Sequence, residues 1–313
     1  MIKFYKTNLK NEVEEIEAFD TNCWINITNP SKEELELLSS NLNVPLDFFT
    51  DPLDVDERPR VEYDDDTDTT LIILKYPIKN PDNENIKYGT KPLGIIKGKN
   101  FIVTVSKSKN SIISLFEENK VKNFSTYKRS RFILQIFFKM SNLYLKYLSK
   151  IHKETDMVEE ELRESMKNKE LIELLNIEKS LVYFTTSLKS NEIVLERLSK
   201  GNIIPLYEED EDMLEDVIIE NKQAIEMCDI YSSILSGMMD AFASVISNNL
   251  NIVMKVLTLV TIIMQIPTII TSFFGMNVRL PLMKNPLAWV YIILMSVVSA
   301  VWVIFWFKKR RFM

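Results

Sequence analysis

Ten residues recur at alternating steps of four and three: Asp240, Ser244, Ser247, Asn251, Met254, Thr258, Thr261, Gln265, Thr268 and Ser272. All but Met254 are polar, and the later ones interrupt an otherwise apolar run. The mean step of about 3.5 residues keeps them on one face of a helix. Hydroxyl and carboxamide oxygens on one face break no bonds. They offer neutral hydrogen-bonding groups to water or to a partner helix. Just beyond the run stands Gly275-Met276-Asn277, which adds one more carboxamide.

That face needs an element to carry it. Residues 252–274 are apolar with one charge, Lys255, and residues 286–307 have none. A helix of about 20 apolar residues crosses a bilayer, so both runs are expected to span. Residues 275–285 form the short loop between them. Polar groups inside a membrane face a bundle interior or a water-filled path. One helix cannot enclose a path, so the register predicts several copies of the chain around an axis. Ser and Thr hydroxyls have another outlet, because they can bond back to their own helix or join two helices. The carboxamides of Asn251 and Gln265 fit that outlet less well.

Charge is divided unevenly. Residues 251–313 hold seven basic residues and no carboxylate, which leaves 31 basic and 44 acidic residues, a net of −13, in the first 250. An acidic soluble part repels phosphate, so nucleic acid is not expected as a partner, whereas divalent cations are compatible with it. Cys23 and Cys228 have no metal-ligand spacing and read as buried thiols. A single histidine, His152, leaves no second ring for a zinc or triad site. Met1 to Lys10 lacks the apolar core of a signal peptide. Lys308, Lys309, Arg310 and Arg311 follow the second span, and the positive-inside rule places them in the cytoplasm with both termini.

The rest of the chain divides by its punctuation. Residues 1–126 read as a cytoplasmic α/β domain. Strands are expected near Ile2–Lys6, Cys23–Ile27, Val61–Tyr63, Leu71–Tyr76, Leu93–Lys97 and Phe101–Val105. Ser31 with Glu34 is a capping box for a helix through about Ser40. Asp64-Asp65-Asp66 with Asp68 reads as a solvated acidic turn. No Gly or Pro occurs from Lys99 to Lys200. A helical hairpin is therefore expected over residues 127–209, with helices near 127–166 and 169–199 closed by Gly201 and Pro205. A stalk helix over 210–251 then runs on into the first span, roughly 100 Å in all at 1.5 Å per residue. The acidic run Glu208–Glu220 suits the start of that helix.

Gly-Met-Asn at the end of the first of two C-terminal spans resembles the signature of the CorA family of magnesium transporters. Residues 251–261, Arg58-Pro59-Arg60-Val61-Glu62 and Gly94–Val105 also look like stretches of that family, and the resemblance covers essentially the whole chain. It implies a funnel-shaped homopentamer with an α/β cytoplasmic domain, a long stalk helix and two transmembrane helices. Gly275, Met276 and Asn277 would form the ion entrance. Asn251, Met254, Leu257, Gln265 and Thr268 would line the pore, with Met254 and Leu257 as a gate that closes by dewetting. Asp240 would add a carboxylate ring. Asp216 matches the family's inter-subunit carboxylate, where bound magnesium holds the channel shut. The cargo implied is magnesium, with cobalt or nickel after it, and magnesium is also the regulator.

Magnesium sheds its waters reluctantly, and a ring of carboxamide oxygens can hold those waters without trapping the ion. The membrane potential favours entry of a divalent ion by about 4.6 kcal/mol per 100 mV. No ATP loop is therefore required, and no Walker-type motif occurs. The chain departs from the family at Phe274, where Tyr is common, and at Gln265, where apolar residues are common. Its outer loop carries Arg279 and Lys284 rather than an acid. A zinc transporter of the related branch, with or without proton coupling, is the first alternative. A non-conducting membrane-anchored sensor or scaffold is the second. An enzyme is not expected, since no nucleophile–base pair stands out.

Overall fold

The computed structural model describes residues 1–80, 86–165, 168–200, 203–205, 207–278, 280–281 and 285–310. It divides into two compact units, Met1–Gly237 and Met238–Met313.

The first unit is built on a seven-stranded sheet. The strands are β1 (Ile2–Thr7), β2 (Val13–Ile16), β3 (Cys23–Thr28), β4 (Arg60–Asp64), β5 (Thr69–Lys79), β6 (Tyr88–Lys97) and β7 (Phe101–Ser106). Their order is β2-β1-β3-β7-β6-β5-β4. Every neighbouring pair is antiparallel except β3 with β7, which run parallel from Cys23↔Phe101 to Thr28↔Ser106. Strand side chains alternate between faces. Cys23, Ile25 and Ile27 of β3 join a core with α1 (Lys32–Leu42) and α2 (Asp47–Thr50). Trp24 and Asn26 point the other way. Trp24 is fully buried, donates from Nε1 to Thr104 Oγ1 at 2.9 Å and meets the Phe132 ring at 5.2 Å. Helices α3 (Ser111–Glu117), α4 (Arg129–Ser165) and α5 (Asn168–Lys200) complete the unit with the first part of α6 (Glu208–Phe274).

The Ser31–Glu34 capping box forms in both directions at the start of α1. β5 and β6 run longer than their apolar cores suggest, through Pro77, Gly89 and Pro92. β4 pairs with β5 only as far as Ile73, and β7 with β6 only as far as Gly94. Both prolines thus sit where their strand has one open side, the setting that tolerates a missing N–H. The acidic turn is closed on itself. Asp64 accepts from the Thr67 amide at 3.0 Å, and Asp68, at φ 51°, accepts from Tyr63 Oη at 2.9 Å. α6 begins at Glu208 rather than 210, with Glu208, Glu209, Asp210 and Glu211 in its first turn. Gly201, expected to help end the hairpin, lies outside the described residues.

Beyond the end of β4, the open side of β5 is taken up by side chains. Asn191 of α5 is fully buried, accepts from the Lys75 amide at 3.0 Å and donates to the Lys75 carbonyl at 2.8 Å. Tyr144 Oη donates to the same carbonyl at 2.7 Å. One carboxamide therefore stands in for a missing strand. Asn191→Ala leaves the Lys75 N–H without its acceptor, which costs about 1–3 kcal/mol. A matching loss in urea unfolding of the soluble unit is the expected result.

Within the first unit, α6 shields Leu214, Val217, Asn221, Ala224 and Cys228 at steps of three and four, the stripe of a packed helix. His152 of α4 stacks on Tyr231 with centroids 4.9 Å apart. Both cysteines are free and buried. Burial pushes the Cys228 thiol from 9.0 up to about 12. The folded thiol keeps its proton where the unfolded thiol would lose it. Its contribution to stability is therefore complete below about pH 9 and falls as pH climbs toward 12. Native Cys228 is expected to resist iodoacetamide at pH 8.5 until denaturant is added, measured by intact mass.

In the second unit, α6 continues to Phe274 and α7 spans Ala288–Lys309. Both helices are long and apolar enough to cross a membrane. α7 starts two residues later than the apolar run, because Asn285 accepts the Leu287 amide at 3.0 Å and turns the chain first. It ends two residues later, so that Lys308 and Lys309 form its last turn.

Candidate functional site: a polar face on an apolar helix

Two stripes divide the membrane-length part of α6. Leu259 is only 6% exposed, and Ile263, Ile266, Pro267, Ile270 and Phe274 are partly shielded. On α7, Ser296 is 5% exposed, and Ile292, Ser299, Ala300, Val303 and Phe307 are partly shielded. The two helices cover each other along these lines. At about 100° per residue, the shielded stripe of α6 lies roughly 160° from the line through Thr258, Thr261, Gln265, Thr268 and Ser272. Those five, with Asp240, Ser244, Ser247, Asn251 and Met254, are all exposed. The sequence register is thus one continuous face, and it is the face α7 leaves bare. Leu257 stands beside it and is 57% exposed, much like Met254 at 58%.

Local chemistry sets what this face offers. Thr258, Thr261 and Thr268 each donate their hydroxyl proton to the carbonyl four residues back, at 2.8, 2.8 and 3.0 Å. This is the intrahelical outlet weighed above, and for these three it is used. It does not silence them, because a hydroxyl oxygen that has given its proton still has acceptor capacity. Such an oxygen suits the outward-pointing hydrogens of a hydrated cation. Asn251, Gln265 and Asn277 differ, since none has a side-chain hydrogen-bond partner among the described residues. A carboxamide in an apolar setting needs partners. Those of Asn251 and Gln265 must come from water, an ion's hydration shell or another chain.

Gly275 does not reverse the chain as a left-handed cap, since no described glycine has positive φ. Its amide continues the helical pattern to Thr271 O at 2.9 Å, and the Met276 amide reaches Phe273 O at 3.4 Å. Glycine matters here for room. A Cβ would sit 3.3 Å from Thr271 O, a tight contact that asks for a small adjustment, and 3.6 Å from Ser272 O, an ordinary one. Gly275→Ala should therefore shift Met276 and Asn277 by a few tenths of an ångström. On the entrance role that the family resemblance implies for these residues, divalent-cation uptake in proteoliposomes is expected to fall about tenfold, with the fold intact by circular dichroism.

Asp216 is exposed on α6 in the first unit and has no ion-pair partner among the described residues. Lys308 and Lys309 are exposed, and Arg310 lies over the Trp306 ring at 6.0 Å. Arg311, Arg279 and Lys284 lie outside the described residues. The α7-facing stripe goes unremarked in the sequence reading. Its signal is weak because α7 is apolar on nearly every side, with only Ser296 and Ser299 to mark the shielded line.

An α/β unit, a long helix that becomes the first of two apolar spans, and a bare polar face ending in Gly-Met-Asn define a class of two-span membrane proteins. The family model described as CorA-like Mg2+ transporter protein matches residues 19–309, and the chain belongs to that family. It is 31% identical over 291 residues to the cobalt/magnesium transport protein CorA of Methanocaldococcus jannaschii, covering 90% of this chain and 88% of the relative. The cobalt/magnesium transport protein CorA of Thermotoga maritima is 24% identical, over 99% of this chain and 88% of its own. The complete structure of the Methanocaldococcus jannaschii CorA magnesium transporter superposes with a TM-score of 0.85 at 27% identity, covering 99% of this chain and 98% of that one.

Proposed function

We propose that the chain assembles as a homopentamer around the polar face of α6 and conducts magnesium into the cell, with cobalt as a second cargo. The observation that carries this reading is the bare face itself. Polar groups from Asp240 to Ser272 are exposed on the side that α7 leaves uncovered. A lone two-helix unit would turn that face to lipid, which is costly for Asn251 and Gln265. Copies placed around an axis turn it to water. The names of the relatives favour magnesium and cobalt over zinc.

In this assembly the parts take distinct roles. Asn277, with the backbone of Gly275 and Met276, receives the hydrated ion at the outer mouth. Thr268, Gln265, Thr261 and Thr258 accept hydrogen bonds from its water shell. Met254 and Leu257 form the narrow apolar section, which conducts when wet and closes when dry. Asn251 and Asp240 receive the ion below it. Lys308, Lys309, Arg310 and Arg311 hold the inner end of α7 at the cytoplasmic surface, with both termini on that side. Asp216 binds regulatory magnesium between neighbouring copies. Lipid surrounds α7 and the outward faces of the spans.

The test is flux into proteoliposomes loaded with a magnesium dye, with zinc as competitor and with or without a pH gradient. Magnesium entry that follows membrane potential and ignores the pH gradient is the expected result. Zinc entry dependent on the gradient would replace this reading with the zinc alternative. No divalent flux at any internal magnesium level would replace it with the non-conducting scaffold.

A further inference from the structure

We infer that a cavity in the first unit, beside the N-terminal ends of α4 and α6, binds a phosphate-bearing anion. This rests on the soluble unit alone and not on the reading of the ion path. The cavity has a volume of about 560 Å³, and Lys97, Lys128, Arg129, Arg131, Tyr127 and Tyr207 are among its lining residues. Three carboxylates also border it, Glu208, Glu209 and Asp210. Their positions leave a local excess of positive charge. Glu209 is 2.8 Å from Arg131 and 3.7 Å from Lys128, so one carboxylate answers two cations. Asp210 is buried and turns its carboxylate toward the Tyr207 amide, 3.5 Å away. Glu208 is exposed at the end of α6.

Lys97 and Arg129 have no carboxylate within ion-pair distance among the described residues. Both are partly buried. The Lys97 ammonium is held below its ordinary value by burial and then by the nearby Arg129 charge, with Asp68 opposing. Arg129 donates from Nη1 to the neutral Asn22 Oδ1 at 2.8 Å. The Nε atoms of Arg129 and Arg131 are buried without an acceptor. Two like charges held side by side and half out of water destabilise each other. An anion between them removes that repulsion and uses their donors.

Phosphate chemistry fits this arrangement best. Guanidinium matches the geometry of phosphoryl oxygens, and lysine adds a point charge. A cavity of this size lies within the range for small-molecule sites, roughly 300–1,000 Å³. It exceeds what one phosphate fills. Tyr127 and Tyr207 are 51% and 68% exposed at its border, and their rings offer flat faces against which a base can stack. The shared chemistry is a polyphosphate, carried either by an inorganic chain or by a nucleotide.

The experiment is isothermal titration of the full-length protein in detergent with EDTA, using tripolyphosphate in one arm and ATP in the other. Both are expected to bind. Equal affinity assigns the site to phosphoryl groups of either source, and ATP tighter by more than about tenfold assigns the base to the tyrosines. Lys97→Gln combined with Arg129→Gln should weaken binding at least about tenfold, the effect of losing charged hydrogen bonds. Glu209→Gln should tighten it several-fold, by removing a competing carboxylate from an exposed position that folding does not need. No heat from either ligand at concentrations on the order of 1 mM overturns the inference. So does binding that the two variants leave unchanged. If the double variant fails to fold, Glu209→Gln decides, and affinity equal to wild type counts against the site.

Discussion

Asn277→Ala is expected to lower magnesium uptake into proteoliposomes by about a hundredfold or more. The carboxamide has no side-chain partner among the described residues and lies just past the end of α6, at the proposed entrance where an ion would still carry its water. A neutral hydrogen bond contributes about 0.5–1.5 kcal/mol. In the proposed pentamer it is repeated five times at one ring and sums to several kcal/mol, and each 1.4 kcal/mol is a factor of about ten in rate. The stabilisation must be lost in all copies at once, because one gene supplies every subunit. Val278→Ala, one residue further on, serves as the control and should keep uptake within about twofold, since it removes only apolar surface. Asn277→Ala with wild-type uptake would remove the tripeptide from the entrance. So would a loss shared equally by the Val278 variant, which would point to a general disturbance of the loop.

The particular residues show why some of this was legible in the sequence. The polar register could be read because α6 is a regular helix. One face of a helix follows from spacing alone, and no tertiary fold can move Thr258 away from Thr261 or Gln265. The capping box at Ser31 was legible for the same reason, since its partners lie three residues apart. What failed to show was set by partners distant in sequence. β5 continues past Pro77 because Asn191, more than a hundred residues on, satisfies Lys75. Asn191 sits in a helix whose spacing gives no sign of what its carboxamide meets. The cavity of Lys97 and Arg129 is likewise invisible, because a hairpin strand and two helix ends meet there only once folded. The overall negative charge of the soluble part even argued against phosphate there. That argument holds for an extended nucleic acid contacting a broad surface, and net charge does not govern a local cluster. Gly275 was legible only as part of the tripeptide, because its spacing says nothing of its backbone geometry. Its role is the clearance beside Thr271 O rather than a left-handed turn.

Asp216→Ala is expected to abolish inhibition by internal magnesium while leaving entry at low internal magnesium close to wild type. Asp216 is exposed in the single chain and lies in an acidic run with no basic residue from Glu208 to Glu220. A surface carboxylate so placed attracts a divalent cation and meets no internal competitor. In the proposed ring of copies, each magnesium held between neighbours at Asp216 would add differential affinity for the closed arrangement. Moving a gate from 99:1 closed to 99:1 open takes about 5.5 kcal/mol. Shared over five interfaces, that is about 1 kcal/mol each, within reach of a weakly held hydrated ion. In the proposed pore the gate itself needs no metal, because Met254 and Leu257 would close it by drying. Removing Asp216 therefore removes the closing term but not the conduction path. Flux at millimolar internal magnesium should rise about ten- to hundredfold over wild type under the same load. Glu215→Ala removes the same charge from the next position, about 100° around the helix. If regulation is a site, that variant stays inhibited. If it is only the field of the acidic run, both variants lose inhibition alike, and the assignment to Asp216 falls.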